Sequence, residues 1–271
     1  MNVLAAGMSV LLYLIATLLL LLRLRPNHQG QATERTLALL CALLAVFCHT
    51  ELLRQNVFTP AGMNLGLFNA ASLFGWQISL VLILISARLP VENLGLILFP
   101  FTALTVGVAT AFTDSSYAIH PYNGWLDAHI LLSILAYSLL AMAVTQSLLV
   151  FLQDRLLRRH QPVAWMRALP PLQTMEELLF RMLGLGFLLL SLALISGLMF
   201  VHNLFGQHLA HKMILSFIAW LIFGMLLWGH WRHGWRGKLA VRWTLSGGFA
   251  LTLAYFGSKF VLELLLGRQW G

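Results

Sequence analysis

The sequence predicts an all-α, polytopic membrane protein with eight transmembrane helices, and three observations lead there. Of 271 residues, 59% are hydrophobic and only 10% are charged, where ordinary soluble domains carry roughly 25% charged residues. A single soluble core of this size cannot hide that much apolar surface, so the solvent of the fold is a bilayer. The apolar residues also fall into segments, roughly 3–22, 36–53, 65–87, 93–112, 127–152, 180–203, 211–231 and 243–266, each near the 20 or so residues that a helix needs to cross about 30 Å of hydrocarbon. Finally, Lys and Arg lie between these segments and favour alternate connections. The chain is read as one transmembrane domain, 1–271.

Segment one opens MNVLAAGMSV without a positive charge and is followed by Arg23 and Arg25. That is the reverse of a secretory signal, so it is read as a span. Alternate connections hold Arg23, Arg25 and Arg35; Arg88; Arg155, Arg158, Arg159, Arg167 and Arg181; and Arg232, Arg236, Lys238 and Arg242. The other side has Arg54, Lys212, Lys259 and Arg268. The richer side is expected in the cytoplasm, which puts both termini outside it. The net charge of +8 therefore reflects membrane topology and lipid headgroup contact, and a nucleic-acid partner is not expected.

Segment two contains both cysteines, Cys41 and Cys48. Seven residues of helix separate them by about 10 Å, beyond disulfide reach. No C-x-x-C-H sequence is present for covalent haem attachment. Segment six carries Gly184, Gly186, Ser191, Ser196 and Gly197, small residues suited to close helix packing. Connections are short; the longest, 154–179, is proline-marked and basic. Neither a separate soluble domain nor an internal repeat is expected. Nucleophile elbow, phosphate loop and paired carboxylates are all missing, so acid–base hydrolysis is not indicated.

Ten histidines are many for a chain with nine acidic residues. His28 and His160 fall in polar cytoplasmic connections, His233 in the basic turn after segment seven, and His120 in an outer connection. The rest sort by depth. His49 lies about 20 Å above the inner end of its helix, a turn short of the outer surface. His129 opens segment five at the outer face, His202 closes segment six there, and His208 and His211 open segment seven. His230 lies about 28 Å further down segment seven. Two imidazoles on one haem iron approach from opposite faces at one depth, a condition that His49, His129 and His202 meet and His230 does not. His208-x-x-His211 is also compatible with zinc or copper. Asp127 reads as a helix N-cap, and Glu51 as a water-facing residue at a helix end.

The stretch AWLIFGMLLWGHWRHGWRG (219–237) runs from an apolar helix into a basic, tryptophan-rich end. Its His230, Trp231 and Trp235 read either as interfacial anchors or, for the ionisable His230, as part of a site.

This stretch, continued to Lys238, follows PPLQTMEELLFRMLGLGFLLLSLALISG (170–197) and precedes LTLAYFGSKFVL (251–262); with GWLDAHILLSILAYSLL (124–140) and CHTELLRQNV (48–57), the set resembles the CcsA/CcmC/CcmF group of cytochrome c assembly proteins. The resemblance covers a core of about 36–266 and touches six of the eight segments. It implies that His129, after a tryptophan at the start of an outer-face helix, is an external haem ligand. It matches His49 to the histidine late in the second helix. It links His230, displaced by two residues from the family spacing, to membrane-embedded haem. The chain departs from the group at VHNLFGQHLAHKMI (201–214), which lacks the tryptophan-rich motif, and at its end LLLGRQWG, which lacks Leu-His-Ser-Tyr. His202 is then the substitute ligand.

The expected function is haem binding, with haem export or handling linked to cytochrome c assembly, by a carrier and not an enzyme. Its cofactor-binding residues are His129, His49, His202, His230 and Trp125, the last packing on the porphyrin of haem b. Expected partners are membrane lipid and a haem-handling or other membrane protein, and the expected location is a bacterial-type inner membrane. Two alternatives stand beside it: a non-haem accessory subunit of, for example, a divalent-cation transporter, and a quinol-oxidising b-haem subunit.

Overall fold

The structure, a computed structural model, describes residues 2–25, 31–60, 62–112, 119–120, 122–159, 169–200 and 210–257. It is a multi-pass, all-α assembly: among the described residues, seven helices are long and apolar enough to cross a membrane. The helices sort into two compact units.

The first unit holds α1 (Asn2–Arg23), α2 (Gln31–Asn56), α3 (Leu67–Ser86) and α4 (Gly95–Ala111). α1 packs on α2 and α4, and α3 packs on the same two, closing a ring of four. On α2, Ala38, Ala42 and Ala45 are all fully buried, and the Ala45 carbonyl accepts from Ser9 of α1 at 3.3 Å. Their spacing repeats on one side of a helix, and their small side chains let the two backbones approach. Leu4, Leu11, Leu18 and Leu21 of α1 stay exposed, as lipid-facing residues do.

Two features of this unit depart from expectation. A small antiparallel sheet, β1 (Phe58–Thr59), β2 (Gly62–Asn64) and β3 (Ile119–His120), closes one end, with Met63 paired to both Phe58 and His120. Strands of two or three residues leave no alternation to read in a sequence. His120 is thereby placed in a strand. At the other end Arg23 and Arg35 do not both serve as free topology anchors. Arg23 reaches Glu92 at 2.7 Å and Arg35 reaches the same oxygen at 3.3 Å, while Glu92 is only 2% exposed. Arg35 also donates to the Ser86 carbonyl at 2.5 Å. One buried carboxylate thus ties together the end of α1, the start of α2 and the turn (Glu92–Leu94) before α4.

The second unit holds α5 (Gly124–Arg158), α6 (Leu172–Phe200), α7 (Ala210–His233) and α8 (Gly237–Thr252), the last running into a π-helical turn, Leu253–Gly257. α5 packs on α6 and α8, and α7 packs on the same two, again a ring of four. Gly186 lets α6 close on Leu140 of α5, where an added Cβ would stand 2.8 Å from the leucine side chain. Gly184 meets nothing within 4 Å, so the small residues of α6 do not all act alike.

Boundaries moved where polar residues are helical. α5 has 35 residues, about 52 Å of helix, because the segment expected to be a connection after 152 continues in good helix formers and an Asp154–Arg158 pair at 2.9 Å. α6 starts eight residues before the expected apolar segment, directly after Pro170–Pro171, with the Met175 N–H bonded to the Pro171 carbonyl. α8 starts six residues early. Its described helical part is 16 residues; 258–266 of the expected eighth span lie outside the described residues. Cys41 and Cys48 are free thiols.

Candidate functional site

The start of α5 presents Trp125 and His129 four residues apart, hence on one face. Asp127 is not the N-cap. Asn123 holds that position, and the Asp127 carboxylate, four residues on, reaches back to accept the Asn123 N–H at 3.1 Å. Trp125 is 81% exposed. His129 is half-buried against α6, where Ser196 and Gly197 receive it.

Ser196 holds that imidazole in place. Its hydroxyl oxygen lies 3.0 Å from the Ala193 carbonyl and 2.8 Å from His129 Nδ1. With the hydroxyl proton on the Ala193 carbonyl, the oxygen accepts from Nδ1–H and the ring lone pair falls on Nε2; with that proton on Nδ1 the tautomer is reversed. Gly197 makes room for the ring: a Cβ there would stand 3.1 Å from His129 Cε1. An imidazole whose Nδ1–H is held by a protein oxygen and whose Nε2 carries the lone pair is the form that ligates metals.

His230 is oriented by other means. α7 ends at Gly234, whose φ is +67° and whose N–H bonds the His230 carbonyl at 3.0 Å, a left-handed C-cap that favours glycine. The chain then turns back so that Trp235 lies over Gly229, where any Cβ would come within 2.3 Å of the indole. This brings the Trp235 carbonyl to 2.9 Å from His230 Nδ1. A carbonyl only accepts, so Nδ1 carries the proton and Nε2 the lone pair. Phe180 of α6 stacks on the ring, centroids 3.5 Å apart and planes 14° from parallel. His233, expected in a turn, is the last residue of α7 and packs edge-on to Trp228. Trp231 is 83% exposed, as an interfacial anchor would be.

The two imidazoles are not brought together. His129 is held at Ser196 and His230 at Phe180, sixteen positions apart on α6, or about 24 Å.

His49 belongs to the first unit and is arranged differently. It is fully buried, with Nε2 at 2.8 Å from Ser72 Oγ and Nδ1 at 3.5 Å from the Tyr13 hydroxyl. Tyr13 in turn stacks on Phe99. All four helices of the unit contribute to this cluster. Both ring nitrogens are engaged, so iron at His49 would require the ring to give up Ser72. Glu51, two residues on, pairs with Arg54 at 2.7 Å and with Gln55. His202 and His208 lie outside the described residues, as does the side chain of His211. Among the described residues, no group of three or more His, Cys, Asp or Glu side chains could hold a metal ion.

The residues that reading the sequence missed are the ones that orient rings: Ser196 and Gly197 for His129, Trp235 and Phe180 for His230, Tyr13 and Ser72 for His49. Ser196 and Gly197 do stand out in the sequence, but as packing residues. Their second role depends on which α5 residue faces them, which periodicity does not say.

Residues 37–266 match the family of cytochrome C assembly proteins. The inner membrane protein YpjD of Escherichia coli is 34% identical over 238 residues, covering 85% of this chain and 88% of that protein. More distantly, the cytochrome c biogenesis protein CcsA of Prochlorococcus marinus is 22% identical over 226 residues, 72% of each chain, and that of Gloeobacter violaceus is 27% identical over 100 residues, 36% of this chain and 30% of the other. No solved structure matches. The family match spans α2 to α8 and includes His49, His129 and His230, and on that extent the chain belongs to the cytochrome c assembly protein family.

Proposed function

We propose that this protein binds haem b in a bacterial-type inner membrane and handles it for cytochrome c assembly, as a carrier and not an enzyme. The observation that carries the reading is His129, held by Ser196 on the face of α5 that also carries the exposed Trp125. These residues fit the group: the His129 imidazole would supply a nitrogen ligand to its iron, and the exposed Trp125 indole would supply a flat apolar face for the porphyrin. Haem, when bound, supplies an iron that takes nitrogen ligands. The chain's own part is to hold His129 by α6 and to keep Gly197 small. His230, with its lone pair on Nε2, is a second and separate ligand position about 24 Å away along α6, and His202 remains a partner for His129. The membership of the chain in the family and its relatives named for cytochrome c biogenesis support the reading. On this reading both termini lie outside the cytoplasm, and the partners are lipid and a haem-handling or other membrane protein.

The test is the absorption spectrum of the purified protein. The reduced protein is expected to show Soret and α bands. His129→Ala should lower bound haem or shift those bands, and added imidazole should restore part of the signal. His160→Ala should change neither. An unaltered spectrum in His129→Ala sinks the outer site. If the unmutated protein carries no haem when haem is abundant, the reading gives way to that of a non-haem accessory subunit.

A further inference from the structure

The turn that orients His230 is itself docked on α6 by one carboxylate. Gly237, the first residue of α8, has φ +57° and donates its N–H to Glu176 Oε1 at 3.0 Å. The first N–H groups of a helix have no partner inside it, and the residue at the α8 N-cap position, Arg236, makes no side-chain cap. Glu176, on another helix, takes that place. Its negative charge also suits the positive end of the α8 dipole.

Glu176 and Phe180 are four residues apart and share a face of α6. Phe180 sets the plane of the His230 ring by stacking on it. Glu176 holds Gly237, two residues beyond Trp235, whose carbonyl receives the Nδ1 proton of His230. Between those two fixed points only Arg236 intervenes, in extended conformation at φ −148°, so the Trp235 carbonyl has little freedom once Gly237 is docked.

We propose that Glu176 is a positioning residue for His230: by docking Gly237 it holds the Trp235 carbonyl on Nδ1, and thereby keeps the lone pair on Nε2. The site it serves is the second ligand position of the proposed function, and on that reading Glu176 selects the metal-binding nitrogen. The tautomer itself is a property of the protein without haem. It can therefore be measured whether or not haem binds.

The experiment is nitrogen NMR on full-length protein with 15N-labelled histidine, haem-free, in lipid nanodiscs at about pH 8.5, above the ordinary imidazole pKa of about 6.5. The His230 resonances are those lost in His230→Gln. In the unmutated protein Nδ1 should carry the proton-bearing signature and Nε2 the lone-pair signature. Glu176→Ala should replace this with a mixture of both tautomers. Glu176→Gln, which keeps an acceptor oxygen at the same reach, should restore the single tautomer. Glu176→Asp, a milder change for use if the alanine variant does not accumulate, should give a partial mixture. A role limited to stability would lower the melting temperature and leave the tautomer alone. If Glu176→Ala, or Glu176→Asp in its place, keeps the single Nδ1–H tautomer, the proposal is overturned, and so it is if Glu176→Gln mixes as much as alanine. Absence of haem from the unmutated protein would instead strike at the proposed function and leave the tautomer result standing.

Discussion

A single hydroxyl orients His129 in this protein. Ser196 stands 2.8 Å from its Nδ1 and 3.0 Å from the Ala193 carbonyl. Ser196→Ala removes that partner and lets the ring turn. Loss of such an orienting partner typically weakens metal affinity about 10- to 100-fold, and haem titration of the purified variant should show a drop of that order with normal membrane levels. His49 is the contrasting case. With Ser72 and Tyr13 on its two nitrogens and no exposure, His49→Ala should cost on the order of 3 kcal/mol of stability through a cavity and unpaired hydroxyls, read as a lowered melting temperature of haem-free protein. A variant that keeps its melting temperature and loses haem would show His49 acting as a ligand. Depth along a helix is legible in a sequence, which is why His129 and His230 could be separated from composition and spacing. Which nitrogen faces outward depends on side chains from other helices, and nothing local to His129 or His49 announces Ser196 or Ser72.

At the scale of elements, the α7–α8 junction is specified by its glycines. Three glycines serve three purposes: Gly229 admits the Trp235 indole, Gly234 ends α7 at φ +67°, and Gly237 starts α8 at φ +57°. Gly229→Ala puts a Cβ 2.3 Å from Trp235 and must displace the indole. Trp235 carries the carbonyl that His230 uses. The expected outcome is a large loss of protein in the membrane, or protein whose tryptophan emission and His230 environment are both altered. A variant indistinguishable from the unmutated protein in level and emission would show that the indole is elsewhere. The motif was visible in the sequence as GHWRHGWRG; its fold was not, since the glycines act through a turn that returns on itself. The same limit applies at α6, where Glu176 and Glu177 sit in a stretch that hydropathy assigns to a connection and the structure makes helical.

Taken whole, the molecule repeats one neighbour order twice: each unit closes a ring of four helices, though no repeat in the residues announces it. The membrane class was legible because it rests on composition, and seven of the expected spans are helices of sufficient length and apolarity among the described residues. Orientation rests on charge asymmetry. A reporter active only in the cytoplasm should work when fused after Arg236, and one active only outside should work after Arg268; the opposite pattern would invert every depth assigned above. The buried Glu92, shared by Arg23 and Arg35, shows that two of the cationic residues that make this asymmetry also have a structural partner.

The length of α5 has a consequence for the lipid. A helix of 35 residues, about 52 Å long, exceeds a hydrocarbon layer of about 30 Å even at a steep tilt of about 40°, where it still rises about 40 Å. Its surplus emerges at the end that carries Asp154, Arg155 and Arg158. A span with length to spare does not suffer when the bilayer thickens or thins, because the water boundary simply slides along it. The His129 end of α5 can then keep its station at one surface while sterol content, acyl-chain length or growth temperature changes the distance to the other.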